Sequence, residues 1–159
     1  MTSINFKDAM GHLASGISVL ACKSSDGLCG ITISSLKSVG IQPPTISVCV
    51  EGQSQMINAI RESGKFGVTV LRQEQCEIAK HFANANIPQT ERFSQMRYEL
   101  INGCPIIVGG LSAMTCSVIQ EIKISGNVVF FGEVTDVQSN PGDPLIYYFR
   151  EWHALATMN

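Results

Sequence analysis

The chain has 159 residues, 45% of them hydrophobic and only 15% charged, with a net charge of −2. That length builds a single domain over 1–159 with its own core. The eleven Lys and Arg form no cluster, which excludes nucleic acid as a partner. No apolar run approaches the roughly 20 residues that span a bilayer, and MTSINFKDAM has no signal-peptide core. A cytoplasmic protein without membrane contact is the expectation. So low a charge density also points to a surface covered by a second copy of the chain, because obligate interfaces resemble a core cut in half.

Residues 5–14 read as a short amphipathic helix, capped by Asn5 with Asp8 three residues on, and with Phe6, Ala9, Met10 and Leu13 on one face. Gly16 breaks it. The buried strand 17–22 and the strand 28–36 form a hairpin around Ser24-Ser25-Asp26-Gly27, where Asp-Gly favours a tight turn. A Pro43-Pro44 corner precedes the apolar strand 45–50, and Ser54 caps a helix over 54–62 that Gly64 ends. FGVTVL (66–71) alternates as a strand, and a helix follows over 73–84 with Ile78, Ala79 and Phe82 on one side. The stretch 85–104 reads as an irregular loop, longer than compact domains carry without a use. Two long strands, 112–124 and 127–138, meet at Ser125-Gly126. After a turn at Asn140-Pro141-Gly142-Asp143, residues 145–150 begin a last strand pair. Many strands with three short helices between them predict a mainly β (α+β) fold, a closed antiparallel barrel with helical inserts. There is no G-x-G-x-x-G, so a Rossmann nucleotide site is not expected.

Cys22, Cys29, Cys49, Cys76, Cys104 and Cys116 contain no C-x-x-C pair and read as reduced structural thiols. None of His12, His81 and His153 has a nucleophile or metal partner close by in sequence, and G-x-S-x-G, H-E-x-x-H and P-loop motifs are absent. No catalytic side chain and no metal ligand emerges. The informative stretch is GITISSLKSVGIQPPTISVCV (30–50), rich in hydroxyls at Thr32, Ser34, Ser35 and Ser38, followed by Glu51-Gly52-Gln53-Ser54 at the mouth of a helix. These hydroxyls are either the polar face of a half-exposed strand or a row of hydrogen-bonding groups for a heteroaromatic edge or a phosphate. A helix start flanked by Gln53 and Gln55 suits an anion. No Lys or Arg stands at 52–56, so a cation comes from elsewhere, with Lys37, Lys80 and Arg92 as candidates. Tyr147, Tyr148, Phe149 and Trp152 serve either as core or interface, or as the border of a planar cofactor.

FKDAMGHLASGISVL (6–20), DGLCGITISSLKSVGIQPPTISVCV (26–50) and INAIRESGKFGVTVLRQEQCEIAKHFA (57–83) are followed by NGCPIIVGGLSAMTCSV (102–118), FGEV (131–134) and PLIYYF (144–149). In this order the chain resembles, nearly end to end, the short-chain flavin reductases, the FMN-binding split-barrel proteins that supply reduced flavin to two-component monooxygenases. The resemblance implies an antiparallel split β-barrel of the FMN-binding type, in a homodimer. It implies an NAD(P)H:flavin oxidoreductase that binds FMN or FAD, takes hydride from NADH or NADPH, and passes reduced flavin to a partner monooxygenase or another acceptor. By position, Thr32, Ser34 and Ser35 would edge the ring and ribityl chain, with Val50 and Glu51 meeting it mainly through their backbone. Ser54, Gln55 and Met56 would open the helix that receives the phosphate, and His81 and Phe82 would lie beside the cofactor near a dimer interface. The chain departs from the family where Gly126-Asn127-Val128 replaces Gly-Asp-His, and again in the closing segment Tyr148-Phe149-Arg150-Glu151-Trp152. Both departures touch the nicotinamide side, so Val128→His is expected to raise turnover. They also frame the alternative, an FMN-binding electron-transfer or carrier protein without efficient NAD(P)H oxidation.

Overall fold

The computed structural model describes residues 3–158. The first helix, α1 (Ser3–Gly11), starts ahead of the expected cap, so Asn5 lies inside it. Asp8 instead meets Arg150 at 3.3 Å. The apolar face of α1 turns outward, with Phe6 61% exposed. Strands β1 (Ser15–Gly16), β2 (Ser18–Ser24) and β3 (Gly27–Ile33) follow, β2 and β3 pairing as the expected hairpin. The strand expected to run to residue 36 stops at Ile33, and β4 (Lys37–Ile41) pairs with β5 (Pro44–Val50) instead. The reason is a side chain. Ser35 Oγ donates to Cys49 O and accepts from Cys49 N, both at 3.0 Å, so a hydroxyl takes over the pairing where the backbone bends out of the ladder.

Helix α2 (Gln55–Ser63) begins where expected, with Ser54 Oγ accepting from Met56 N at 3.2 Å, a cap worth about 1 kcal/mol. It ends at Gly64, and its exposed Arg61 pairs with Glu121 at 2.7 Å. After β6 (Lys65–Val70) a 3-10 turn at Gln73–Gln75 leads into α3 (Cys76–Ala83). The expected irregular loop 85–104 holds a 3-10 turn at Gln89–Glu91 and a strand, β7 (Tyr98–Ile101), that pairs with β8 (Cys104–Ile107). The local signal for this hairpin is Asn102-Gly103, with φ of 52° and 81°, the dipeptide that two-residue turns favour. Strands β9 (Ser112–Ile124) and β10 (Asn127–Ser139) form the long hairpin, and β11 (Leu145–Tyr148) pairs with β12 (Glu151–Ala154).

Seven strands make one antiparallel sheet in the order β3-β2-β6-β9-β10-β5-β4. It curls around a core that holds Leu20, Val48, Met56, Phe66 and Phe130. Backbone pairing does not close it into the expected barrel, because β3 and β4 each have one neighbour and the chain between them leaves the ladder at 34–36. Alternate residues of β2 serve two cores: Leu20 and Cys22 face inward, while Val19 and Ala21 join Leu71, Ala79, Phe82 and Phe93 on the other side. That second cluster fastens α3 and the loop after it to the sheet. Among the described residues the fold is mainly antiparallel β with three short α-helices.

All six cysteines are free, and burial pushes the Cys22 and Cys116 thiols up to about 12, which leaves them unreactive small hydrophobes. Among the described residues no helix is long and apolar enough to cross a membrane.

Candidate functional site

A cavity of about 780 Å³ opens between three walls, within the roughly 300–1,000 Å³ usual for small-molecule sites. One wall is the end of β3 and the bend after it, a second the β5–α2 turn, and the third the end of α3 with the loop behind it. Of the residues expected at a site, Thr32, Ser34, Ser35, Glu51, Ser54, Gln55 and Phe82 line this space. The tertiary structure thus gathers seven positions spread over 51 residues of chain.

Their hydroxyls are not equivalent. Thr32 Oγ1 donates to Ala79 O at 2.6 Å and Ser35 Oγ is engaged with Cys49, so both hold the walls together. Ser34 is exposed and, among the described residues, its hydroxyl has no partner within the chain. Ser54 Oγ accepts from Met56 N and keeps its own hydrogen to donate. The side chains of Val50 and Met56 are fully buried in the core and do not face the cavity. His81 also turns away: its Nε2 donates to Arg92 O at 2.8 Å and its ring meets Phe82 edge-on.

The candidate cations separate clearly. Lys80 is exposed and paired with Glu77 at 2.7 Å, and Lys37 lies in an adjoining groove of about 500 Å³ that shares Ser34 and Ser35 with the cavity. Arg92 alone of the three lines the cavity. The adjoining groove carries Phe6, Met10, Tyr147 and Phe149, so two of the four candidate aromatics border it. Trp152 packs on Tyr147 with ring centroids 4.9 Å apart.

Two features go beyond the sequence reading, which marked Asn127 only as a departure from the family on the nicotinamide side. Asn127 lines the cavity, and its Oδ1 accepts from Gly52 N at 3.2 Å, locking the β9–β10 turn onto the β5–α2 turn. A Cβ on Gly52 would collide with Gly126 O, so this junction needs a glycine. Val128, by contrast, is buried in the core opposite Val50. Strand alternation turns Val128 inward where Asn127 faces the cavity. A histidine there would enter the core, which overturns the expectation for Val128→His. The second feature is Gln89, in the stretch read as a loop: its Oε1 accepts from Gly30 N at 2.8 Å and fastens the third wall to the free edge of β3.

Residues 10–156 match the model of the flavin reductase like domain. The reductase component of 4-hydroxyphenylacetate 3-monooxygenase from Pseudomonas aeruginosa is 32% identical, over 94% of this chain and 90% of its own. An NADH-dependent flavin reductase from a Rhodococcus species is 28% identical, over 98% of this chain and 88% of its own. Among solved structures, the flavin reductase PheA2 in its native state superposes with a TM-score of 0.90 at 28% identity, over 99% of this chain and 100% of that one. Family match and fold agree over nearly the whole length, and the chain belongs to the flavin reductase like domain family.

Proposed function

We propose that the protein is an NADH-dependent flavin reductase that binds FMN or FAD in the cavity beside β3 and delivers reduced flavin to a partner oxygenase. The observation that carries this reading is one cavity combining the unpartnered Ser34 hydroxyl, a helix start and a buried cation, in a chain of this family. The ring would lie against Ser34, Ser35 and Asn127, with the phosphate toward Ser54 and Gln55. A bound flavin supplies the two-electron acceptor for the hydride of the nicotinamide. The chain's own part is to orient and to exclude water: Ser34 and Ser54 present hydrogen-bonding groups, and Phe82, Ile87 and Pro88 make an apolar wall. Glu51 places a carboxylate in the cavity with no ion pair among the described residues. Relatives named as NADH-dependent flavin reductase and FMN reductase (NADH) support NADH as the hydride donor.

Anaerobic addition of FMN and then NADH to the purified protein tests this. NADH is expected to bleach the visible band of the flavin. Bound flavin that stays oxidised until dithionite is added would establish the carrier alternative, and no flavin binding would remove both.

The curled open sheet is proposed as the split barrel of the FMN-binding type, completed in a homodimer. Exposed Ile41, Ile124, Phe6 and Met10 on a chain of low charge support an interface. Sedimentation equilibrium is expected to give twice the chain mass, and a monomer at micromolar concentration would refute the dimer. Six free cysteines fit a reducing, cytoplasmic setting.

A further inference from the structure

A second cavity, of about 500 Å³, opens beside the end of β6, between the start of β9 and the end of β10. Its size suits a small molecule, and it shares no lining residue with the cavity beside β3. Among the described residues its one cation is Arg72 and its one carboxylate is Glu99.

Arg72 is fixed at both ends. Its backbone N–H donates to Gln75 Oε1 at 3.1 Å, and Nη2 donates to Pro141 O at 3.2 Å. Gln75 is buried and its Nε2 donates to Val108 O at 3.1 Å, so one side chain ties Arg72 to the opposite wall. A guanidinium carries five N–H donors, and among the described residues the chain engages one of them. No carboxylate stands within ion-pair distance of Arg72 among those residues. Nε is sealed from solvent without an acceptor, the one buried side-chain nitrogen or oxygen among the described residues in that position. Buried polar groups are nearly always satisfied, so this charge is left uncompensated by its own chain. Nη1 has no protein partner either, but it is open to solvent. Gly109 and Gly110 also line the cavity, and their N–H groups make no hydrogen bond among the described residues.

We propose that this cavity binds a small monocarboxylate, taken end-on by Nη1 and Nη2 of Arg72, with the Gly109 and Gly110 N–H groups as further donors. The planar fork of a guanidinium matches the two oxygens of a carboxylate, and such charge-assisted bonds are stronger than neutral ones. Glu99 decides the charge of the ligand. It lines the same cavity from β7, opposite Ile106, and like charges repel in proportion to their product. A monoanion is therefore accepted where a phosphate dianion is disfavoured. The site is independent of the flavin reading.

The test titrates the isotope-labelled protein with acetate, and with chloride at matched ionic strength, while following the amide signals of Gly109 and Gly110 and the Arg72 Nε–H. Acetate is expected to shift them saturably and chloride is not. Inorganic phosphate at alkaline pH, where it is a dianion, should bind more weakly than acetate. Arg72→Met keeps the apolar stem and should weaken acetate by roughly 10- to 100-fold, the loss expected for hydrogen bonds to a charged group. Glu99→Gln should tighten acetate by about 2- to 5-fold, as removal of one solvent-exposed charge implies. Acetate shifts that survive in Arg72→Met overturn the assignment. So does a wild type with no saturable shift, or one that binds phosphate as tightly as acetate. A site that appears only in Glu99→Gln would make Glu99 the counter-ion of Arg72 and overturn it equally. The comparison of the three anions needs the wild type alone, so it decides the matter even where Arg72→Met folds poorly.

Discussion

Gly52→Ala is expected to abolish flavin retention and to lower the melting temperature by roughly 6–12 °C, the shift that about 3 kcal/mol produces in a domain of this size. The residue lies where the β5–α2 turn crosses the β9–β10 turn, and an added methyl would run into Gly126 O. Backbone atoms have no rotamer to escape into, so relief requires the two turns to separate. Separation breaks the bond from Gly52 N to Asn127 Oδ1 and moves Glu51, Gln53 and Ser54, three residues of the cavity wall, together. Overpacking usually costs about 1–3 kcal/mol, and a clash between two main chains belongs at the upper end. Thermal melting and an FMN titration of the same variant check the two halves of the expectation. Normal stability with normal FMN affinity would mean that the two turns do not hold the site.

Ser34→Glu is the complementary experiment, because it changes the cavity and leaves the fold intact. The side chain is exposed and, among the described residues, its hydroxyl has no partner within the chain, so stability should stay within about 0.5 kcal/mol of the wild type. A flavin ring settling over this position would strip water from the new carboxylate and lose the hydroxyl as a partner. Burying an unsatisfied polar group costs about 1–3 kcal/mol, more when charged, which corresponds to a roughly 10- to 100-fold loss for FMN and riboflavin alike. Ser35 would make a poorer probe. Its hydroxyl holds Cys49 at both backbone groups, so any replacement also frees the bend from β5. Unchanged FMN affinity in Ser34→Glu would remove the ring from this wall.

Much of the secondary structure is local and was legible in the residues themselves. Ser54 and Gly64 mark both ends of α2 within a residue, and Ser125-Gly126 marks the turn of the long hairpin. The hairpin at Asn102-Gly103 carries an equally local signal, overlooked because the surrounding stretch is polar. The ordered likeness of the segments also pointed to the family that the comparisons then established.

The partners of these elements were not legible. The strand expected over 28–36 breaks because Ser35 meets Cys49, fourteen residues on, and hydroxyl-rich spacing does not say which hydroxyls bond to the protein and which face a ligand. Val50 and Met56 sit beside site residues in sequence, yet their alternation on strand and helix turns them into the core. Among Lys37, Lys80 and Arg92, only contacts such as that between Arg92 and Gly30, 62 residues apart, select the cation in the wall. Turn chemistry, caps and hydrophobic periodicity act over a few residues, so the sequence by itself determined the elements, their order and the family. Which face each element turns to the cavity, and which charge is buried there unpaired, depends on contacts between distant segments, and only the tertiary structure decided them.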